Sequence, residues 1–107
     1  MKLVVIESPY AGDVERNRTY LNRCIRDCIE RGESPYASHK MLVDSLDDTD
    51  PGERAAGINA GLAWSIAADS VIAYIDYGVS DGMNNAIAVH NNLGHAVAYR
   101  KIGVNPE

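Results

Sequence analysis

Most of the residues that could do chemistry in this chain fall in two segments, Glu7-Ser8-Pro9-Tyr10-Ala11-Gly12-Asp13 and Asp76-Tyr77-Gly78-Val79-Ser80-Asp81-Gly82-Met83. Each follows a short apolar run and opens a helical pattern. A strand, a glycine-containing turn and a helix start set backbone N–H groups and small side chains beside a crevice, where anionic or polyhydroxylated ligands bind. In the first segment Ser8 can hydrogen-bond a ribose or a phosphate, and Tyr10 can stack on a base or donate its hydroxyl. Pro9 and Gly12 shape the turn, and Arg16 and Asn17 lie one turn into the helix that follows. In the second, Asp76 ends a strand, where a carboxylate commonly orients sugar hydroxyls. Gly78 and Gly82 permit close backbone approach. Ser80, Asp81 and Met83 complete the set, with Asp81 also readable as a helix cap. His39 follows a second strand and could reach the same ligand. Both segments also read as ordinary strand-ending turns. Two such turns in 107 residues point to a nucleoside- or nucleotide-sized site.

Other chemistries lack their residues. No G-x-S-x-G marks a nucleophile elbow, and neither a phosphate-binding P-loop nor a full G-x-G-x-x-G is present. His90 sits on an apolar helical face and reads as a packed histidine. Cys24 and Cys28 fall on one face of a helix, a spacing poor for a disulfide and without partners for zinc, so they read as small buried hydrophobes. The acidic loop Asp47-Asp48-Thr49-Asp50-Pro51-Gly52 lacks the ligand spacing of a calcium hand. No metal and no cofactor are expected.

Composition narrows the partners. Formal charge is −5, a poor match for a phosphate backbone, so no nucleic-acid polymer is expected. Arg16, Arg18, Arg23 and Arg26 could form a local patch for a small phosphate, or simply a solvated helix face. No apolar run approaches the ~20 residues of a membrane span. Without a disulfide framework or signal peptide, a cytoplasmic location is expected. A hydrophobic fraction of 46% suits one globular domain.

The elements that must position these residues are legible in outline. Lys2 to Ile6 is a β-branched strand, and Asp13 can cap a helix from Val14 to about Arg31, with Leu21, Cys24, Ile25, Cys28 and Ile29 on one stripe. Gly32 stops it. Ser34 to Ser38 is a short strand, placed at an edge by Pro35. Lys40 to Leu46 reads as a short helix with Met41, Leu42 and Leu46 inward. Asp50 and Pro51 start a second long helix to about Ala68, in which Ile58, Leu62 and Ile66 form one apolar stripe. Gly57 and Gly61, on another face, suggest close approach of another backbone: a helix, the sheet or a second subunit. Val71 to Ile75 is a strand, Gly82 to Leu93 a helix with Met83, Ala86, Ile87, His90 and Leu93 on one face, and Ala96 to Tyr99 a last strand. This alternation predicts an α/β fold, a small Rossmann- or flavodoxin-like three-layer sandwich with an about four-stranded, mainly parallel sheet and helices on both faces. Residues 1–101 form one domain in this reading, and 102–107 a C-terminal tail. Such sheets place their sites at the carboxyl ends of the strands. Sheet edges and helical faces in so small a fold also favour a homo-oligomer.

At Ser8-Pro9-Tyr10 with Gly12, Arg16-Asn17, Gly32, Pro35, Ser38-His39, Asp69, Gly78-Val79-Ser80-Asp81-Gly82-Met83 and Leu93-Gly94, the chain resembles the nucleoside 2-deoxyribosyltransferase-like superfamily, and more closely a group of small bacterial and phage proteins in its orbit. The resemblance implies a nucleoside-shaped pocket, sites often completed across subunits, and N-glycosidic bond cleavage by a glutamate nucleophile. By this alignment the nucleophile's position is Ala86, and an alanine cannot attack an anomeric carbon. The resulting expectation is a protein that binds a nucleoside, nucleotide or ADP-ribose-like molecule without turnover, as a phage protein sequestering a host nucleotide signal would. The alternatives are an N-glycosidic-bond enzyme using Asp76, Asp81 or Glu7, and an interaction module without a ligand.

Overall fold

The computed structural model describes residues 1–104, and residues 105–107 of the expected tail lie outside the described residues. Eight elements follow in order: β1 (Lys2–Glu7), α1 (Val14–Glu30), β2 (Glu33–Tyr36), α2 (Ser38–Met41), α3 (Pro51–Ala67), β3 (Ser70–Tyr74), α4 (Asp81–Asn92) and β4 (Val97–Arg100). The strands form one sheet in the order β2-β1-β3-β4, and every pairing is parallel, with Val4 beside both Pro35 and Ser70, and Val71 beside Val97. The chain is therefore a small parallel α/β fold. After β2 it crosses back over β1, so right-handed crossovers put α1 on one face and α3 and α4 on the other. The direction of winding reverses between β1 and β3, which makes their carboxyl ends the topological switch point.

Strand alternation divides the core. Val4, Ile6, Ile72 and Tyr74 pack against Tyr20, Leu21, Cys24 and Cys28 of α1. On the other face Ala73 meets Met83 and Ile87 of α4. Both cysteines are free and buried, and burial pushes the Cys24 thiol up to about 12, so it stays protonated near neutral pH. The starts of α1, α3 and α4 are capped by side chains: Asp13 accepts from the Arg16 N–H, Asp50 from that of Gly52 with Pro51 in the first turn, and Ser80 from that of Met83. Asp81 stands one residue inside α4 and is not the cap. Gly12 and Gly78 take positive φ, 95° and 80°, with open space where a Cβ would stand. Their backbone conformation is the one the turn requires.

Several details differ from the sequence reading. The expected helix from Lys40 to Leu46 is a single turn, Ser38–Met41, followed by turns, and Met41, expected inward, is 62% exposed. Leu93, grouped with Met83 and Ile87 on one face of α4, is 48% exposed while those two are buried. The stripe Ile58, Leu62, Ile66 does not face the core: Ile58 is 53% and Ile66 64% exposed, Leu62 is half-buried, and Ser65 is the buried residue of α3. Gly57 and Gly61 face inward instead, where an added Cβ would come within 3.2 Å of Leu46 Cδ1 and of Ser38 Cβ respectively. A helix that presses its smallest residues against the neighbouring turn sits closer than bulky side chains would allow, and its larger side chains are turned outward.

Candidate functional site

Four polar side chains gather where β1 ends. The Ser8 hydroxyl lies 2.6 Å from His39 Nε2. Glu7 Oε1 lies 3.4 Å from Nε2 of His90 on α4. Local structure explains both pairs. Glu7 follows Val5 in the strand alternation and so points to the α4 face, while His39 sits in the single turn of α2 directly after β2. Ser8 and His90 are both buried, at 6% and 2% exposure. Burial lowers the His39 pKa, and the nearby Glu7 carboxylate opposes that only in part. The ring is therefore neutral near pH 7, and with its proton on Nδ1 the Ser8 hydroxyl donates to Nε2. His90 Nδ1 is buried without a partner among the described residues.

A cavity of about 220 Å³ opens beside this group, lined by Pro9, Tyr10, Asn17, Arg18, Leu21, His39, Lys40, Val43 and Asp44. It brings together Pro9, Tyr10 and His39 from the expected contacts. Asn17 also borders it, but its side chain is committed: its amide donates to the carbonyls of Tyr10 and Ala11, and its oxygen accepts from Arg16. Asn17 thus holds the β1–α1 loop in shape. Lys40 Nζ donates to Asn22 at 2.7 Å, keeping that cation at the rim.

The β3 side is built differently from the expectation. Asp76 is buried, and its carboxylate accepts from the Tyr20 hydroxyl at 2.6 Å and from the backbone N–H groups of Ile102, Gly103 and Val104 at 2.8–3.1 Å. Burial alone would raise its pKa, but these donors outweigh it and hold the carboxyl below the usual range. A carboxylate so occupied has no lone pair left for a sugar or an anomeric carbon. Residues 102–104, expected as part of a tail, are thereby strapped across the end of β3, with Ile102 and Val104 packed on the α1 core. Arg16 turns to this side, its guanidinium 4.1 Å from the centre of the Tyr77 ring. With Asp13, Tyr20, Tyr77 and Val104 it borders a second, more open cavity of about 380 Å³.

The remaining β3–α4 residues divide. Met83 is a core residue at 2% exposure and lines neither cavity. Gly78, Asp81 and Gly82 form the exposed rim of the turn, and Ser80, half-buried, is spent on its cap. Ala86 is half-buried on the inward side of α4, one turn before His90. Reading single segments missed the pairing of Ser8 with His39 and of Glu7 with His90. A usable signal existed: Ser8 immediately follows β1 and His39 comes three residues after β2, and the parallel pairing of these strands brings them to one edge.

Among the described residues no group of three or more His, Cys, Asp or Glu is placed to hold a metal ion, and no helix is long and apolar enough to cross a membrane. Sheet order, parallel pairing and polar groups at the strand ends define a small Rossmann-like α/β domain. The chain belongs to the family described as "Domain of unknown function (DUF7768)", which it matches over residues 2–100. It matches no curated protein.

Proposed function

We propose that this protein binds a nucleoside, nucleotide or ADP-ribose-like small molecule at the carboxyl ends of β1 and β2 and holds it without turnover. The observation that carries this reading is the Ser8–His39 pair, 2.6 Å apart, beside a cavity that also presents Tyr10, Arg18 and Lys40. A phenol ring suits a base, two cations suit a phosphate, and a neutral imidazole can hydrogen-bond a sugar hydroxyl. At 220 Å³ the cavity is smaller than the ~300 Å³ lower bound of pockets that enclose a whole drug-sized ligand. It therefore takes one moiety, and the rest of the ligand lies along the crevice toward Glu7. The resemblance to the nucleoside 2-deoxyribosyltransferase-like superfamily supports the ligand class, and Ala86 supports the absence of turnover. Sequestration of a nucleotide signal in the cytoplasm is the biological form of the proposal.

A second reading, an enzyme acting at an N-glycosidic bond, is favoured by Glu7. Of the carboxylates considered, Asp76 is fully engaged and Asp81 is exposed in the first turn of α4. Glu7 alone stands at the switch point beside two histidines, one of them 3.4 Å away. Calorimetric titration with nucleosides, nucleotides and ADP-ribose separates the readings. Binding that is lost in Ser8→Ala and His39→Ala, with ligand recovered intact, is the expected result. Release of free base that stops in Glu7→Gln would establish the enzyme instead, and no binding across the panel would remove both.

A further inference from the structure

The 220 Å³ cavity beside His39 is lined by one charged side chain that the fold leaves uncommitted. Pro9, Leu21 and Val43 give the cavity apolar walls, and Tyr10 adds a ring. Most of its polar side chains are already engaged. Asn17 donates to the Tyr10 and Ala11 carbonyls, and His39 is paired with Ser8. Lys40 donates to Asn22, and Arg18 lies 3.9 Å from Glu15. The Tyr10 hydroxyl can donate or accept, so it selects nothing. Asp44 differs from all of these: among the described residues its carboxylate forms no ion pair and accepts no hydrogen bond.

Apolar walls and a phenol ring suit a flat base better than a phosphate, which needs donors on several sides. A carboxylate only accepts, through two oxygens side by side, so its match on a base is a pair of adjacent N–H donors. Among the common bases guanine alone presents such a pair, N1–H beside the N2 amino group. Adenine and cytosine set a ring acceptor next to their amino group, and uracil flanks its single N–H with two carbonyls. We propose that Asp44 makes this site specific for guanine nucleotides, its two oxygens receiving N1–H and N2–H while Tyr10 stacks on the ring. This rests on the reading of the cavity as a nucleotide site and names the base that reading leaves open. A bidentate pair of this kind discriminates among bases by about tenfold to a hundredfold. Arg18 and Lys40 do not oppose it. Exposed pairs such as theirs are weak, so both cations can exchange their partners for the phosphate.

The test is calorimetric titration of the whole chain with GMP, IMP, AMP and UMP, repeated on Asp44→Asn. Wild type is expected to bind GMP about tenfold or more tightly than AMP. IMP, which keeps N1–H and lacks the N2 amino group, is expected between them. Asparagine offers one acceptor and one donor, the complement of adenine's amino group beside a ring nitrogen. Asp44→Asn is therefore expected to lose about tenfold for GMP and to bind AMP more tightly than wild type does. Asp44 is exposed, so the variant is expected to keep the wild-type circular dichroism. AMP bound as tightly as GMP by wild type, or a GMP preference that survives in Asp44→Asn, would overturn the proposal and leave the nucleotide reading standing. Absence of binding by all four nucleotides would overturn both.

Discussion

Replacing Asp76 by alanine removes the acceptor that ties three parts of the molecule together. The carboxylate receives the Tyr20 hydroxyl and the N–H groups of Ile102, Gly103 and Val104. Tyr20 is 2% exposed, so its hydroxyl proton is left without an acceptor in a dry site, at a cost of about 1.5 kcal/mol. The strap N–H groups can reach water once released, so they count together as about one charge-assisted bond, a further ~1.5 kcal/mol. The sum of about 3 kcal/mol lowers the melting temperature by roughly 12–24 °C for a domain of this size. The pH dependence carries a sign. The folded carboxyl lies below its ordinary range, so its contribution is complete above the unfolded pKa and is lost as pH falls through the folded value. Urea unfolding of wild type and Asp76→Ala, at neutral pH and at about pH 3, measures both effects. Wild type is expected to lose its advantage over the variant on acidification. A loss under ~1 kcal/mol at neutral pH, or two acid limbs that run parallel, would refute this account of Asp76.

Other outcomes follow from the same contacts. Gly57→Ala is expected to stabilise by up to ~1 kcal/mol, because helix propensity is gained and the neighbour at 3.2 Å is the mobile end of Leu46. Gly61→Ala is expected to lower the urea midpoint, because there the neighbour is Ser38 Cβ, fixed to the first residue of α2. Arg100→Met is expected to cost about 2–3 kcal/mol. The guanidinium donates to both oxygens of Glu33 at 2.7 Å and to the Tyr74 hydroxyl, joining the two edge strands. Thermal unfolding reads that loss. Hydrogen bonds from Arg100 keep Glu33 ionised below the usual carboxylate range, so the wild-type advantage over Arg100→Met narrows as acid protonates Glu33.

The strands were legible because β-branched runs such as Val4-Val5-Ile6 and Val71-Ile72 are bounded by turn residues, and the helix starts because Asp13 and Asp50-Pro51 are local signals. The direction in which α3 faces was not. Its sequence offers an Ile58–Leu62–Ile66 stripe and a Gly57–Gly61 stripe, and only the shape of the turn beside them decides which goes inward. The role of Asp76 depended on donors 26 to 28 residues further on, in a segment without periodicity. At the site, the position of Ser8 and His39 at strand ends could be read from their place in the pattern. Their contact could not, since it joins residues 31 apart and depends on where α2 turns.

Incubating the protein with nucleosides, nucleotides, cyclic dinucleotides and ADP-ribose derivatives, followed by mass spectrometry of the filtrate and of the heat-released fraction, tests the central claim most directly. The account predicts one compound depleted from the filtrate and recovered intact after heating, with depletion abolished in His39→Ala. A panel left wholly in the filtrate would contradict it.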